Sequence, residues 1–292
     1  VGGIIIYISL FSNLLFYDYS ERYIIILFIA FLILLVGIID DCIQISVAIR
    51  FACFLLITIL IILLDFKIVN LGYYEYFGDL KINDLGILLT ILAFLAIING
   101  FNFIDGMDGL LGGIVLNSVL FLIINLSKIN NYNNIFFELN LLLVIFLFLI
   151  LNFGLFGKNF KIILGDSGSL TLAIIIGLLC INHANYNSQG IHPSQVLWLI
   201  ALPIFDVVST SIKRILNKKN PFTSDDKHIH FMIKNKLQLR NNYIVCILLL
   251  ISFILNLFGT LIFYFFGGFI NLLSFVFLSV VYLFVNLKFL RS

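Results

Sequence analysis

Long apolar runs dominate this chain of 292 residues and limit its fold more than any other feature. Hydrophobic residues make up 62% of the sequence and charged residues 11%, whereas an ordinary soluble domain carries about 25% charged residues. The runs, roughly 15–24 residues each, match the length that an α-helix needs to cross the hydrocarbon of a bilayer. The sequence therefore predicts an all-α fold, a polytopic transmembrane helical bundle that forms one integral membrane domain over residues 1–292.

Ten segments of the chain are predicted to cross the membrane. They are residues 2–16, 23–39, 47–64, 86–100, 109–127, 139–156, 169–183, 195–212, 243–266 and 269–290. The loop 65–85 alternates apolar and polar residues around Gly72 and Gly78, a pattern typical of a small hairpin. The chain opens with Val1 instead of Met and runs through two glycines directly into a helix, which indicates that its natural N-terminus is missing.

The basic residues are unevenly divided between two sets of loops. One set, which includes 157–168 and 213–242, holds thirteen of the 17 Lys and Arg residues, and the other set, which includes 65–85, holds four. Because loops rich in Lys and Arg stay in the cytoplasm, the first set is predicted to be cytoplasmic. The acidic clusters described next all lie in that set, so the active site is predicted on the cytoplasmic face.

Five acidic residues form three short clusters, each placed where an apolar run ends or begins. The clusters are Asp40-Asp41, Asp105 with Asp108, and Asp166. A carboxylate near hydrocarbon is costly, and its presence at membrane depth is by default a functional signal. We therefore expect the three clusters to form one polar site shared by several helices.

The first two clusters offer oxygen ligands. Asp40 and Asp41 are adjacent on a helix, so their side chains point about 100° apart, and one can face a metal while the other faces a substrate. Asn102, Asp105 and Asp108 recur at every third position, and a helical turn would align them along one stripe suited to a hard cation such as Mg²⁺. Three glycines in this segment are expected to prevent a regular helix. The alternatives are a solvated helix cap for the Asp pair and a plain polar turn for the second cluster.

Residues 165–169, with the sequence Gly-Asp-Ser-Gly-Ser, open the seventh predicted segment. Small residues and exposed amides at the N-terminus of a helix form a natural phosphate-binding site. Asp166 would add an oxygen ligand for a metal that bridges phosphates. The alternative is that Asp166 or Ser167 merely caps the helix.

The largest cytoplasmic loop, 213–242, is basic and carries His228 and His230. Most of its lysines are expected to contact anionic lipid headgroups. In an extended loop, side chains two residues apart face the same way, so both histidines can hydrogen-bond one phosphate or diphosphate. A zinc site is the alternative, although no third His or Cys lies nearby. Asp206, inside the eighth segment, is expected to face protein or water.

Together these residues suit phosphoryl transfer, in which catalysis is mostly positioning and charge neutralisation. The membrane setting indicates a lipid phosphate as one substrate. Two other classes stay open: an intramembrane aromatic prenyltransferase, which spaces its acids three or four residues apart in one motif, and an ion-coupled transporter, which spreads its acids through the membrane. Here Asp40-Asp41 has no third acid nearby, and the clusters gather at one rim.

Five motifs, in this order along the chain, resemble those of the polyprenyl-phosphate N-acetylhexosamine-1-phosphate transferases. They are Gly-Ile-Ile-Asp-Asp at 37–41, Asn-Gly-Phe-Asn-Phe-Ile-Asp-Gly-Met-Asp-Gly-Leu at 99–110, Leu-Gly-Asp-Ser-Gly-Ser at 164–169, Pro-Ile-Phe-Asp at 203–206, and Pro-Phe-Thr-Ser-Asp-Asp-Lys-His-Ile-His at 221–230. The resemblance covers nearly the whole chain, and five motifs together are far more specific than any one. It implies a family fold of about eleven spans, of which Gly2-Gly3 would open the second.

The resemblance implies transfer of a sugar-1-phosphate from a UDP-sugar to undecaprenyl phosphate, with release of UMP and with Mg²⁺ (or Mn²⁺) as cofactor. By matching position, Asp40 is expected to deprotonate or orient the lipid phosphate, and Asp41 to assist it near the metal. Asp166 is expected to ligate Mg²⁺ together with Asn102.

Other matching positions imply contacts with the substrates. Asp105 and Asp108 are expected to bind the nucleotide or the water shell of the metal. His228 and His230, with Arg214, are expected to contact the diphosphate or the sugar. The expected setting is the bacterial inner membrane, with membrane lipids around a multi-pass protein, a homodimer as one expected assembly and no nucleic acid among its partners.

The histidine motif bears on which sugar is used. Pro-Phe-x-x-Asp-x-x-His-x-His resembles the branch that begins O-antigen, common-antigen and teichoic-acid synthesis with GlcNAc-1-phosphate. The branch that takes UDP-MurNAc-pentapeptide usually has three consecutive histidines here. Phe231 stands where the GlcNAc branch commonly has a second adjacent histidine, so another UDP-sugar, including UDP-MurNAc-pentapeptide, stays open as an alternative.

Overall fold

A computed structural model gives the fold and describes residues 1–17, 19–129, 135–184, 190–218 and 228–289. Within these ranges the chain is almost entirely helical. The helices are α1 (Gly2–Ser12), α2 (Glu21–Ile43), α3 (Val47–Leu63), α4 (Leu85–Ile104), α5 (Leu110–Lys128), α6 (Phe136–Asn152), α7 (Gly165–Ala184), α8 (Pro193–Leu199), α9 (Ala201–Leu216), α10 (Ile229–Leu237) and α11 (Asn241–Phe289).

The apolar segments of the sequence form the helices of a membrane protein. Five helices are long and apolar enough to cross a bilayer, or six if the bent pair α8 and α9 counts as one span. Three shorter apolar helices accompany them, at Gly2–Leu15, Val47–Leu63 and Phe136–Asn152. All ten predicted segments thus fall on helices, while the number of crossings stays a prediction.

The predicted hairpin in the loop between α3 and α4 is confirmed. Its strands, β1 (Asn70–Tyr74) and β2 (Gly78–Lys81), are antiparallel, with Tyr73 opposite Asp79. Gly72 and Gly78 have φ values of 109° and 70°, a region that only glycine adopts without strain. The two glycines therefore fix the course of the hairpin.

Helix α7 lies at the centre of the bundle, and its residues from Ser167 to His183 are buried. Helices α1, α2 and α4 pack around it. A Cβ atom at Gly3 would lie 2.5 Å from the backbone nitrogen of Gly168, and one at Gly37 would lie 2.4 Å from the Cα atom of Ser167. Small residues thus allow close helix contact, which brings the end of α2 onto the beginning of α7.

The eighth predicted segment, 195–212, was expected to be one continuous helix, and that expectation is wrong. Helices α8 and α9 meet at an angle of 77°, with Ile200 in a non-helical conformation between them. Pro203 lies in the first turn of α9, where the N–H that proline lacks is not needed within the helix. Restarting the helix at Ala201 accommodates Pro203 without a kink inside a longer helix.

Helix α11 contains the last two predicted segments and is broken at Gly267, which has a φ of 77°. Gly268 lies against the imidazole of His192, near the hairpin. Farther along, the Tyr282 hydroxyl donates to Asp206 in α9, and Asn286 donates to Ser209 at 2.6 Å. The second half of α11 therefore runs back along α9, away from the hairpin end.

Candidate active site

The acidic clusters meet at the end of the bundle opposite the hairpin. Asp40, in the last turns of α2, is 2% exposed, and its Oδ2 atom lies 2.7 Å from Nη2 of Arg50 in α3. The same Arg50 nitrogen lies 4.0 Å from Oδ2 of Asp166 in α7. The Arg50 guanidinium therefore lies between the carboxylates of Asp40 and Asp166. Three helices therefore bring two carboxylates and one guanidinium together, as the clusters predicted.

The turn after α2 holds Asp40 in place. Gln44 ends the helix in a left-handed conformation, with a φ of 50°. The next residue, Ile45, donates its backbone N–H to Oδ1 of Asp40 at 3.1 Å. One carboxylate oxygen is thus held by the backbone, and the other faces Arg50.

Asp41 lies against the beginning of α7, beside Asp166. Its Oδ1 and Oδ2 atoms accept hydrogen bonds from the backbone N–H groups of Asp166 and Ser167, at 2.9 and 3.2 Å. The amides expected to bind phosphate are therefore occupied by a carboxylate, and the prediction of a phosphate site there is wrong. An anion at a helix N-terminus is favourable, so Asp41 serves as the cap of α7 and joins it to α2.

Asn102 connects α4 to this cluster. Its Nδ2 atom donates to Oδ1 of Asp166 at 3.0 Å and to Oγ of Ser169 at 3.2 Å. The expectation that three glycines would prevent a regular helix is wrong in part, because α4 continues through Gly100 to Ile104. A Cβ atom at Gly100 would lie 3.0 Å from the carbonyl oxygen of Pro203, so this glycine permits close packing of α4 on α9.

Asp105 and Asp108 lie in the turn between α4 and α5. Burial, together with the nearby charges of Asp166, Asp108 and Asp41, raises the pKa of Asp105 to about 7. Asp108 is more exposed and forms an ion pair with Nζ of Lys161 at 2.5 Å. The predicted stripe of three side-chain oxygens is therefore incomplete. Asn102 lies within α4, Asp105 ends that helix, and Asp108 faces Lys161.

The cluster suits a divalent cation. Among the described residues, Arg50 and Lys161 form ion pairs with three of its five carboxylates, so the cluster is rich in negative charge. In the part of the chain that the structure describes, no three His, Cys, Asp or Glu side chains are arranged to hold an ion by themselves. Mg²⁺ usually takes one or two protein carboxylates and completes its shell with water and substrate phosphates, and Asp166 with Asn102 fits that pattern.

The histidine motif lies beside the acidic turn. His228 precedes α10 as its N-cap, whereas His230 lies in the first helical turn, so the expected extended loop is wrong. The two rings nevertheless lie nearly parallel, 9° apart, with centroids separated by 6.3 Å, as the same-face prediction requires. A Cβ atom at Gly106 would contact the His230 ring at 2.1 Å, which places α10 against the turn that carries Asp105.

Phe103 supports the basic groups of the site. Its ring centroid lies 4.6 Å from that of His228 and 5.4 Å from the guanidinium carbon of Arg214. Arg214 and His228 are both buried, and Nη2 of Arg214 lies 3.4 Å from Nε2 of His228. The first part of the motif, residues 221–227, lies outside the described residues.

Sequence reasoning missed several residues of this region. Arg50 was counted only as a loop charge, although its place in the first turn of α3 puts it near Asp40. Lys161 was likewise one of many basic residues. Asp206 was expected only to face protein or water, and it pairs with His228 Nδ1 at 2.8 Å. The spacing of these residues gives no signal, because each pairs with a partner that is distant in the sequence or belongs to another element.

A further buried carboxylate, Glu138, lies at the opposite end of the bundle. It is completely buried, and its Oε1 atom lies 2.7 Å from Nε2 of His183 and accepts from the hydroxyl of Tyr23 at 3.1 Å. These contacts join α6, α7 and α2. Because Glu138 is far along the helices from Asp166, we assign it to the packing of the bundle.

The chain is similar to proteins of a known family. Residues 23–184, more than half of the chain, match the model of the family described as "Glycosyl transferase family 4". Proteins named undecaprenyl-phosphate alpha-N-acetylglucosaminyl 1-phosphate transferase from Yersinia pestis, Salmonella typhi and Haemophilus influenzae are 29%, 30% and 29% identical to it.

In each case the similar region covers 80% of this chain, and it covers 64%, 64% and 66% of the three relatives. The chain thus spans just under two thirds of the length of the curated relatives it matches. The matched region includes α2, α4 and α7, which carry Asp40, Asn102 and Asp166. On this similarity, and with the resemblance of the five motifs confirmed at the level of the family, the chain belongs to glycosyl transferase family 4.

Proposed function

We propose that this protein transfers GlcNAc-1-phosphate from UDP-GlcNAc to undecaprenyl phosphate and releases UMP. An oxygen of the lipid phosphate attacks the β-phosphorus of the nucleotide sugar. The bond from that phosphorus to the bridging oxygen breaks, and UMP leaves with the electron pair. The observation that carries the proposal is the meeting of Asp40, Asn102 and Asp166 at one end of a membrane bundle, where Arg50 faces both carboxylates and Asn102 donates to Asp166. The names of the relatives supply the lipid and the sugar.

Asp40 is the proposed group that orients the lipid phosphate or accepts its proton. The backbone of Ile45 and the guanidinium of Arg50 fix its two oxygens. Arg50 also faces Asp166, so it can balance negative charge that gathers between the two carboxylates. Preorganised charges of this kind need little rearrangement during the reaction. Asp41 supports the arrangement by holding the first amides of α7.

Asp166 and Asn102 are the proposed protein ligands of Mg²⁺. When bound, the ion would neutralise charge on the diphosphate, as divalent ions do in other phosphoryl transfers. Asp105 and Asp108 lie beside this position and are proposed to contact the nucleotide or the waters around the ion. Bound cations favour the ionised form of nearby carboxyl groups, so the raised pKa of Asp105 fits a place beside a divalent ion.

Arg214, His228 and His230 are the proposed contacts to the diphosphate or the sugar. All three are buried, and Phe103 lies against both His228 and Arg214. Buried cationic and imidazole groups bind phosphate more strongly than exposed lysines because less charge is screened by water. This cluster therefore suits the anionic end of a nucleotide sugar.

We further propose that the ten apolar segments cross the bacterial inner membrane and that the acidic end faces the cytoplasm. The distribution of Lys and Arg supports this orientation. Cys42, exposed in the last turn of α2, provides a test in a variant from which the other three cysteines are removed. We expect a membrane-impermeant maleimide to label it only from the cytoplasmic side. Labelling from outside would refute the orientation. Assembly as a homodimer stays a prediction.

The test of the reaction supplies membranes containing the protein with undecaprenyl phosphate and radiolabelled UDP-GlcNAc. We expect Mg²⁺-dependent label in the lipid phase, and loss of at least about 99% of the rate with Asp40→Asn or Asp166→Asn, since each removes a charge at the reacting phosphates. Asp79→Asn, in the distant hairpin, is the matched control and should keep full activity.

Parallel reactions test the alternatives. Incorporation from UDP-MurNAc-pentapeptide alone would correct the sugar and leave the mechanism unchanged. Full activity of Asp166→Asn would remove this residue from the metal site. No transfer from any UDP-sugar by the wild-type protein would refute the proposed function.

A further inference from the structure

Asp206 is a buried carboxylate that the proposed reaction does not yet use. It lies in α9 and is 1% exposed. Its Oδ2 atom lies 2.8 Å from Nδ1 of His228. Its Oδ1 atom accepts from the backbone N–H of Ile229 and from the hydroxyl of Tyr282, both at 3.1 Å. One carboxylate therefore joins α9 to the beginning of α10 and to the second half of α11.

The surroundings of His228 define which ring nitrogen carries the proton. Its Nε2 atom faces Nη2 of Arg214 at 3.4 Å. A guanidinium has donors and no acceptor, so Nε2 must accept that hydrogen bond and carries no proton. The proton is then on Nδ1, where the Asp206 carboxylate accepts it. The tautomer of His228 is therefore set by Asp206 on one side and by Arg214 on the other.

We propose that Asp206 is a positioning residue that fixes the Nδ1–H tautomer of His228, so that the unprotonated Nε2 atom accepts a hydrogen bond from Arg214 and orients its guanidinium toward the substrate. The inference rests on the proposed function and deepens it. A ligand at this place meets the cationic guanidinium of Arg214, whose orientation is set by its hydrogen bond to Nε2 of His228. A guanidinium held in one orientation suits the anionic oxygens of a phosphate or diphosphate. The diphosphate of UDP-GlcNAc has this chemistry.

Asp206→Asn separates positioning from folding. The Oδ1 position receives two donors, from Ile229 and Tyr282, so the carbonyl oxygen of the asparagine should remain there. The amide nitrogen then replaces Oδ2 and faces Nδ1 of His228. Because two donors cannot share one hydrogen bond, the imidazole proton should move to Nε2, which breaks the hydrogen bond from Arg214. The variant is nearly isosteric, so the helices keep their places.

The direct test is nitrogen NMR of detergent-solubilised protein carrying ¹⁵N-labelled histidine, at about pH 8, where imidazole in water is neutral. The chain has four histidines, and loss of one signal set in His228→Gln identifies that of His228. We expect a protonated Nδ1 in the wild-type protein and a protonated Nε2 in Asp206→Asn. Tyr282→Phe, which removes a donor without touching His228, should keep the wild-type tautomer.

Two results would overturn the inference. One is a wild-type His228 protonated on Nε2, and the other is an unchanged tautomer in Asp206→Asn. If that variant does not fold, the wild-type spectrum decides by itself, because only the Nδ1–H form agrees with the proposal.

Kinetics provide the second readout. We expect kcat/KM for UDP-GlcNAc to fall roughly tenfold to a hundredfold in Asp206→Asn, the effect of losing a hydrogen bond to a charged group, with the unfolding temperature nearly unchanged. Equal losses in Asp206→Asn and Tyr282→Phe would instead indicate a purely structural role. A wild-type protein with the expected tautomer but no sugar transfer would refute the proposed function and leave the positioning role standing.

Discussion

Replacing Gly37 by alanine should separate α2 from α7 and reduce catalysis without touching any charged group. The added Cβ atom would lie 2.4 Å from the Cα atom of Ser167, whereas an ordinary van der Waals contact begins at 3.4 Å. The backbones must therefore move apart by about 1 Å, the difference between those two distances. Gly37 is one turn before Asp40 and Asp41, so the same movement displaces both carboxylates from α7.

Two effects of opposite sign act on stability. Alanine favours a helix over glycine by about 0.8–1 kcal/mol. Overpacking costs about 1–3 kcal/mol, and the colliding atom belongs to the backbone, which cannot turn aside. We expect a net loss of about 1 kcal/mol and a lower unfolding temperature. For the reaction, a displacement of about 1 Å costs on the order of a hundredfold in rate, so kcat should fall by about that factor.

The assay combines thermal unfolding in detergent with sugar transfer per folded molecule. Gly100→Ala is the graded comparison, because its Cβ atom would lie 3.0 Å from the Pro203 oxygen and needs a much smaller movement. Leu35→Ala, on the exposed face of α2, should leave kcat unchanged. A Gly37→Ala protein with full kcat and a raised unfolding temperature would show that helix propensity dominates and that the close contact is not required.

Three further predictions concern charged groups. The pKa of Asp105 is raised to about 7, so the stability that this group contributes is fully present below about pH 4 and is lost as the pH rises through about 7. In EDTA, the unfolding temperature of the wild-type protein should therefore fall as the pH approaches and passes 7, and it should fall less in Asp105→Asn. An identical pH profile in the two proteins would contradict this prediction. Lys161→Met should lower the free energy of unfolding by less than about 1 kcal/mol, because the ion pair of Lys161 with Asp108 is exposed. The variant should have a higher KM for the UDP-sugar and an unchanged kcat, and a fall in kcat alone would argue against a role of this pair in substrate binding. Glu138→Ala should reduce the free energy of unfolding by about 3–5 kcal/mol, since the buried His183 loses its partner, and it should leave kcat per folded molecule unaltered. Equal stability of the wild-type protein and the variant would refute the packing role of Glu138.

Much of the architecture was predictable because the membrane restricts the choices. Apolar length alone located all ten segments on helices, and turn glycines located the hairpin. The convergence of Asp40, Asn102 and Asp166 followed from one rule, that loops on the same side of a membrane can meet. The apolar stretch from 243 to 290 is about twice as long as one crossing of a bilayer requires, so the sequence also predicted the break near Gly267.

The details of the site were less predictable because they depend on contacts between distant residues. Asp41 caps α7 from 125 positions away, and no local spacing announces such a partner. The same is true of Asp206 and His228, which join α9 to α10. His230 entered a helix because its neighbours favour one, and the pattern of two histidines was compatible with either conformation. Several motif residues thus meet in the fold, as the sequence predicted, while their individual partners could be identified only from the structure.

The return of α11 along α9 has a consequence for biosynthesis. Tyr282 can donate to Asp206 only after the ribosome has made nearly the whole chain and the second half of α11 has folded back at Gly267. Until that last helix is inserted, the carboxylate lacks one of its donors and α10 lacks a neighbour. A ribosome-bound intermediate that already contains every acidic motif would therefore still have an incompletely assembled histidine cluster.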